Sequence, residues 1–243
     1  MKKFLTGLLV FAGILVVLYF VAGYFLGNLP IASALLGTNK PRDLGINIST
    51  ESAMQGLREL NKPVSAADLQ KIAANKTAYT KVKASLGEAE ASSLVSLADL
   101  PNFPFKLVQM KFGDNGEVQT SGVINIADLE AALRKYGASG DVIDQVMGVA
   151  KSAKWVNFYA EGTCSIRNNQ VTADINKLEL GRIGLPDDLV NNNTGAVAGY
   201  VQNSLTSSGY NIRSMTISQG KVDLDMDRPI SSIQPWLKFV TTP

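Results

Sequence analysis

The sequence predicts an α+β fold in which a curved antiparallel sheet of six or more strands wraps around long helices, after one N-terminal transmembrane helix. Two observations support this prediction. Residues 4–26 contain no charged side chain, and the order strand–turn–strand–helix occurs twice in the second half of the chain before a final strand pair. Because adjacent hairpins favour an antiparallel sheet, the helices must cover its apolar face.

The uncharged stretch at residues 4–26 has the length of a membrane-spanning helix, since ~20 apolar residues cross the ~30 Å of bilayer hydrocarbon. Two lysines precede it, and the next positive charges are Lys40 and Arg42. The excess of positive charge on cytoplasmic segments therefore places the N-terminus in the cytoplasm and the main domain outside. We expect a single-pass plasma-membrane protein with a signal anchor at residues 1–27 and a linker at residues 28–43.

A cleaved signal peptide is the alternative for this stretch. Ala32-Ser33-Ala34 has the small-x-small form of a cleavage site. The uncharged stretch is longer, however, than the ~7–15 apolar residues typical of a signal peptide. Both interpretations place the main domain outside the cytoplasm.

The composition argues against several classes of function. Lys and Arg total 23 against 21 Asp and Glu, without a basic run, so we expect no nucleic-acid partner. The chain has no histidine, which excludes Ser-His-Asp and Cys-His catalysis and His-based zinc sites. One cysteine excludes an internal disulfide and favours a bacterial envelope protein. With no Gly-rich phosphate loop either, we expect a protein that is not an enzyme and that has no cofactor or metal.

Residues 44–100 are predicted to form a mainly helical N-terminal part. A short strand at 44–48 precedes a helix that Ser49 or Thr50 caps and that runs to residue 60. A second capped segment begins near Ser65, and another helix spans residues 88–97. We interpret the basic stretch between them as a solvated face, with a contact to anionic lipid as the alternative. Its lysines are Lys71, Lys76, Lys81 and Lys83.

Residues 101–243 are predicted to contain three antiparallel hairpins and the helices that follow them. The hairpins pair residues 105–112 with 117–126, 156–166 with 171–180, and 211–219 with 221–226. Their turns, at Asn115-Gly116, Asn168-Asn169 and Gly220, contain residues that tolerate the positive φ of tight hairpins. The apolar alternation changes phase near Asn176-Lys177, which predicts a β-bulge or a strong bend.

The predicted helices of this part span residues 128–136, 141–151 and 187–205, with an interruption at 191–195 as an alternative. Asp128 is expected to cap the first of them. Pro186 is expected at the first position of the last helix, and Gly209 is expected to end it.

Two polar features invite a chemical interpretation. Asp223, Asp225 and Asp227 alternate along one strand, so their carboxylates could hold calcium, but we interpret them as a solvated strand face. Cys164 lies on an alternating apolar face and is interpreted as a small core residue.

An apolar groove is the kind of site that this architecture favours, because a sheet that clasps helices can leave a cleft between them. The candidate residues on the apolar strand faces are Met110, Phe112, Phe158, Met215 and Ile217. Each of them could belong to the core or line the groove.

Three segments carry a family resemblance. They are residues 103–122, the elbow Gly181-Arg182-Ile183-Gly184-Leu185-Pro186, and residues 212–220 with Pro229. Through them, residues 105–230 resemble bacterial single-pass envelope proteins of uncharacterised function, whose C-terminal part is similar to tubular lipid-binding (TULIP) domains. The resemblance implies an elongated rolled sheet around a helix, with a seam that accommodates lipid. It implies no catalytic residue.

Two functions follow as expectations. The first is a membrane-anchored extracytoplasmic module that binds or shields a lipid or other apolar ligand. The alternative is an envelope scaffold that binds a protein partner and no ligand. The expected partners are therefore the membrane, a lipid and, for the alternative, a protein.

Overall fold

The computed structural model describes residues 14–21, 33, 38–61, 79–97, 104–135, 140, 143–144 and 154–229. The helices with defined bounds in these residues are α1 (Thr50–Asn61), α2 (Glu88–Leu97), α3 (Ile126–Lys135) and α4 (Asp187–Ser207). The strands are β1 (Tyr79–Gly87), β2 (Phe105–Phe112), β3 (Glu117–Asn125), β4 (Trp155–Arg167), β5 (Gln170–Leu180), β6 (Ile183–Gly184), β7 (Asn211–Ser218) and β8 (Lys221–Pro229).

These strands form one antiparallel sheet with the order β1-β8-β7-β4-β3-β2, and β5 pairs with the other edge of β4 and with β6. The long strand β4 joins the two halves of the sheet. β3 pairs with β4 from Trp155 to Thr163, and β7 continues along the same edge at Ile166 and Arg167. The predicted α+β class and the large antiparallel sheet are confirmed.

The three predicted hairpins are confirmed, with tight turns between their strands. Both central residues of each turn have positive φ, as type I′ turns require. The values are 56° and 89° at Asn115-Gly116, 49° and 62° at Asn168-Asn169, and 51° and 72° at Gln219-Gly220. The turn chemistry therefore fixes the register of each strand pair.

The predicted β-bulge in β5 is also confirmed. Glu161 of β4 lies opposite Lys177, whereas the next residue, Gly162, lies opposite Ile175, so Asn176 is the extra residue. The bulge keeps the apolar residues on both sides of it on one face of the sheet.

Two helix ends agree with the sequence prediction. The Ser52 amide donates to the Ser49 hydroxyl at 3.0 Å, which caps α1. Gly209, at φ 75°, ends α4, where the Gly209 amide donates to Thr206 and the Tyr210 amide to Leu205. This pair of bonds is a Schellman motif.

Three details of the helices differ from the prediction. The cap of α3 is Asn125 and not Asp128, because the Asn125 side chain accepts from the Ala127 and Asp128 amides at 3.0 and 3.3 Å. That cap also ends β3 one residue early. Pro186 precedes the helix, since its carbonyl accepts the first intrahelical bond, from Val190. No interruption occurs at 191–195, because α4 is continuous.

Two segments of the N-terminal part were predicted wrongly. Residues 44–48 are irregular and not a strand, because Gly45 has φ 79° and donates to the Asp43 side chain in a local turn. Tyr79–Gly87 is a strand where a helical part was expected, and its register runs along β8. Lys81 and Lys83 are exposed on it, as expected of a solvated face.

Several predictions lie outside the described residues. They are most of the span at 4–26, the segment from Ser65 to residue 78, and nearly all of the helix at 141–151. Residues 14–21 are helical and largely exposed. In the part of the chain that the structure describes, no helix has both the length and the apolar character that crossing a bilayer requires.

Helix α2 covers the free edge of β2 with three side chains spaced four residues apart. Glu88 accepts from the Phe112 amide at 2.7 Å, and Ser92 accepts from the Met110 amide at 2.8 Å. Ser96 donates to the Val108 carbonyl at 2.9 Å. An open strand edge invites pairing with other chains, so these bonds complete and protect the sheet.

Replacing Ser92 with alanine is expected to lower the free energy of unfolding by about 1–3 kcal/mol, because the Met110 amide loses its acceptor beneath the helix. Urea unfolding followed by circular dichroism measures the change. Ser85→Ala, at an exposed position of β1, is the control and should stay within about 0.5 kcal/mol of the parent chain. Equal effects of the two substitutions would contradict the role of Ser92 at the strand edge.

Candidate ligand-binding site

One face of the sheet carries most of its buried apolar residues. Along β1, alternate residues from 80 to 86 are buried and the residues between them are exposed. The register places Met226 of β8 beside Val82 and Val222 beside Leu86. We call this side the apolar face and the other side the polar face.

The buried residues of the apolar face and the covering helices group into three clusters among the described residues. The first cluster consists of Val108, Ile124, Ile126, Ile143, Val156, Phe158, Leu180, Leu185 and Val190. The second cluster consists of Val82, Ala84, Ile166, Ile212 and Met226. The third cluster consists of Leu86, Ala91, Phe112, Ile217 and Val222.

The five candidate groove residues lie in and between these clusters. Phe112 and Ile217 are buried in the third cluster. Met110 packs against the first and third clusters, and Met215 packs against the second and third. Four of the five residues therefore meet around one cluster, and Phe158 lies in the neighbouring one.

Phe158 is held in place as a core side chain. Its ring lies 5.4 Å from the Phe105 ring, edge to face, and it packs over Gly122. A Cβ on Gly122 would lie 2.9 Å from the Phe158 ring, so glycine makes this close packing possible. Phe158 thus forms one wall of the apolar face and has little freedom to move.

A strip of the apolar face is only half-buried. It consists of Met110, Val118, Ala160, Gly162, Cys164 and Met215, which we call the apolar strip. Val118 lies opposite Gly162, and Met215 lies opposite Ile166, two residues beyond Cys164. Thr120 lies between Met110 and Ala160 on the same face, so one uncharged hydroxyl interrupts the strip. Three of its residues are small and two are flexible methionines, whose side chains adapt to irregular apolar shapes. The strip therefore offers an alkyl chain a shallow apolar surface without charge.

Cys164 is the one thiol of the chain, and it lies in the apolar strip. Burial raises the pKa of this thiol above its ordinary value. A protonated thiol is a weak nucleophile, so the side chain acts there as a small apolar group.

The three aspartates of β8 lie on the polar face, where arginine and lysine bind two of them. Arg213 donates to Asp225 through Nε at 2.6 Å and to Asp227 through Nη1 at 2.6 Å. The hydrogen bond from Arg213 to Asp225, with the nearby Lys83 amine at 3.6 Å, holds the pKa of Asp225 below its ordinary value. Asp223 is exposed. Among the described residues, no group of three or more acidic or cysteine side chains is arranged to hold a metal ion.

A second cluster of charges fastens residues 38–45, which we call the strap, across the polar face. Arg42 donates to both carboxylate oxygens of Glu179 at 2.6 and 2.8 Å, and Glu179 is only 5% exposed. The Arg42 guanidinium also lies 4.3 Å above the Tyr159 ring, and the Lys177 amine lies 3.2 Å from Glu179. Burial, with a hydrogen bond to Glu161, raises the pKa of Tyr159 to about 12. Tyr159 is therefore neutral at physiological pH.

The ends of the strap are fixed by backbone hydrogen bonds to the sheet. The Asn157 side chain donates to the Thr38 carbonyl at 2.8 Å, and the Leu44 amide donates to the Gln109 side chain at 2.6 Å. No pattern along the chain indicates this arrangement, because its residues are far apart in the sequence. Polar residues at every second position of β4 are also typical of a strand with one face in solvent, so they do not by themselves indicate a buried cluster of charges.

An open pocket of 310 Å³ lies between the strap, α1 and the start of α2. Its polar side chains include Glu88 and Glu90, which already accept from the Phe112 and Gly87 amides at 2.7 and 2.8 Å. Both carboxylates therefore bind backbone amides at the edge of β2 and at the start of α2. For this reason we do not consider them ligand-binding groups of the pocket.

Comparison with known proteins leaves the site to be interpreted from its geometry. No protein-family model, no curated protein and no solved structure matches this chain. The apolar strip, with the walls formed by Phe112, Phe158 and Ile217, is the surface best suited to a ligand.

Proposed function

We propose that this protein is a membrane-anchored, non-catalytic module that binds or shields the apolar part of a lipid on its apolar strip. The observation that carries the proposal is the strip itself, which runs across β2, β3, β4 and β7 and stays half-buried between well-packed clusters. Buried apolar area is the main source of affinity for such ligands.

The dimensions of the strip suit an alkyl chain. From Ala160 to Cys164, β4 rises about 13 Å at ~3.3 Å per residue. Met110 and Met215 border this stretch and can reshape around a chain of variable kink or length. We further propose that the sheet is rolled around its helices as in TULIP domains. In that arrangement the strip would face the helices.

The uncharged stretch at residues 4–26 supports the same function. As a membrane anchor, it would keep the domain outside the cytoplasm and beside a supply of lipid. The strip has no charged group, and its one titratable side chain, Cys164, carries a protonated thiol at neutral pH. Binding without catalysis therefore fits the chemistry of the strip.

The single cysteine allows a direct test. We expect a bound lipid to slow the reaction of Cys164 with a maleimide reagent at least fivefold in the full chain held in amphipol. Oleyl alcohol, which is uncharged, is the probe, and modification is followed by mass spectrometry. The matched control carries Cys164→Ala and Thr172→Cys, which moves the thiol to an exposed position on β5. If oleyl alcohol slows both chains equally, or neither, the strip is not the binding site.

An envelope scaffold is the second candidate, and one observation favours it. Tyr79, at the start of the edge strand β1, is 59% exposed. Such a strand can pair with an extended segment of a partner. A photoreactive side chain at Tyr79 should then trap one protein partner in cells, and the same group at exposed Thr172 should not.

A further inference from the structure

Among the described residues, Arg228 is a charged side chain that interrupts the apolar face. Arg228 follows Val222, Leu224 and Met226 at alternate positions of β8, so its side chain shares their side of the sheet. It is only 6% exposed and lies opposite Thr80, which is 7% exposed. The alternation along β8 could have revealed this position, but the predicted strand ended at residue 226.

No carboxylate pairs with Arg228 among the described residues, in contrast to the two arginines that bind acidic side chains on the polar face. Arg42 binds Glu179, and Arg213 binds Asp225 and Asp227. The Arg228 guanidinium donates from Nη2 to the Asn61 side chain, and its buried Nε has no acceptor in the described part of the chain. Burial lowers the pKa of Arg228, but a guanidinium stays charged at physiological pH.

A buried charge without a counterion is costly, and proteins keep such groups chiefly at functional sites. An arginine presents parallel N–H donors in a planar fork, which matches the two oxygens of a carboxylate or phosphate. An anionic ligand would supply both the missing charge and the missing acceptor.

We infer that Arg228 is the headgroup end of the lipid site and binds the oxyanion of an amphiphile, a carboxylate or a phosphate, whose chain extends toward the apolar strip. This inference rests on the proposed function, because the strip must bind the chain. It adds the chemical class of the ligand, an anionic lipid rather than a neutral one.

The register gives the distance between Arg228 and the strip. Leu224 lies four residues before Arg228, about 13 Å away along the strand, and it pairs with Met215 of the strip. Met226, between them, is part of the second cluster, against which Tyr210 packs. Asn61, at the end of α1, adds an amide beside the guanidinium. One amphiphile can thus bind Arg228 through its headgroup and the apolar strip through its chain.

The test compares charged and neutral ligands in the full chain held in amphipol. Native mass spectrometry measures the affinities for oleate, for oleyl alcohol and for a dioleoyl phosphatidic acid. Arg228→Met removes the charge at similar volume, and Arg228→Lys keeps the charge but not the fork. Arg213→Met is the control, because it removes the same charge from the polar face of the adjacent strand.

We expect Arg228→Met to weaken oleate or phosphatidic acid binding at least tenfold and to leave oleyl alcohol binding unchanged. The affinity of Arg228→Lys for the anion should lie between those of the parent chain and Arg228→Met. The ligand that shows the larger loss distinguishes a carboxylate headgroup from a phosphate one. Unchanged binding of both anions overturns the inference, and so does an equal loss of oleyl alcohol. If the parent chain binds oleyl alcohol but neither anion, the inference fails while the proposed function stands. If it binds none of the three, both fail.

The thermal midpoint provides a second readout that does not depend on ligand affinity. Without lipid, Arg228→Met is expected to unfold at the same or a higher temperature than the parent chain, because it removes a buried charge that lacks a counterion. With saturating oleate, the parent chain should gain more in midpoint than Arg228→Met. A large drop in the midpoint of both Arg228 variants without lipid would assign the side chain to folding alone.

Discussion

Replacing Gly162 with alanine is expected to lower the free energy of unfolding by about 3–5 kcal/mol, a loss at the upper end for a single substitution. The cause is the close approach of the Asp174 carbonyl of β5, near the β-bulge, to Gly162 of β4. A Cβ on Gly162 would lie 2.1 Å from that oxygen and 3.1 Å from the Ile175 Cα. Because the contact is with backbone, no rotation of a side chain can relieve it, and the paired strands must separate.

Thermal unfolding followed by circular dichroism provides the measurement, and a loss of this size corresponds to a midpoint lower by about 6–20 °C. Gly184→Ala in β6 is the control, because a Cβ there meets nothing within 4 Å. The control should be neutral or more stable by less than about 1 kcal/mol. If Gly162→Ala unfolds at the same temperature as Gly184→Ala, the bulge does not constrain β4.

The same bulge illustrates how much of the fold the sequence could predict. Alternation of apolar residues and the turn pairs Asn-Gly and Asn-Asn act between neighbours along the chain, so the hairpins and the phase change at Asn176 were predictable. The cap at Ser49 and the Schellman end at Gly209 are local for the same reason. These signals placed the candidate residues Met110, Phe112, Phe158, Met215 and Ile217 on the apolar faces of their strands.

Interactions between distant segments escaped prediction. β1 was missed because Lys81 and Lys83 suggested a basic helical face, whereas its partner β8 lies more than a hundred residues later. No prediction was made for the serines of α2, yet Ser92 is fully buried against β2. Which of the apolar residues remain half-buried also depends on how the helices pack, and no pattern along the chain reports that.

Replacing Arg42 with alanine is expected to destabilise the chain by about 1–3 kcal/mol and to release the strap. Removing one partner of a fully buried pair costs about 3–5 kcal/mol. Here the cost is smaller, because the Arg42 side chain is 35% exposed and Lys177 remains near Glu179. The stability of Arg42→Lys should fall between that of the parent chain and that of Arg42→Ala. An ammonium keeps the charge but loses the two parallel bonds and the stacking on Tyr159.

Urea unfolding measures the loss of stability, and hydrogen exchange of the Leu44 amide reports release of the strap, since that amide bonds to Gln109. Arg134→Ala is the matched control. Arg134 forms an exposed pair with Glu130 four residues away on α3, and such pairs contribute only about 0.3–0.5 kcal/mol. An Arg42→Ala chain that matches this control in stability and in exchange would show that the strap is held by other contacts.

The strap also bears on the proposed function, because it begins only twelve residues after the predicted membrane span ends at residue 26. A free linker of that length would let the domain tumble beside the membrane. A strap fixed at Asn157, Glu179 and Gln109 would limit the orientations that the sheet can take relative to such an anchor. Arg42→Ala should therefore slow transfer of oleate from anionic vesicles to the full chain while leaving the affinity for oleate itself unchanged. A variant that loses affinity and transfer in the same proportion would instead place Arg42 in the support of the lipid site.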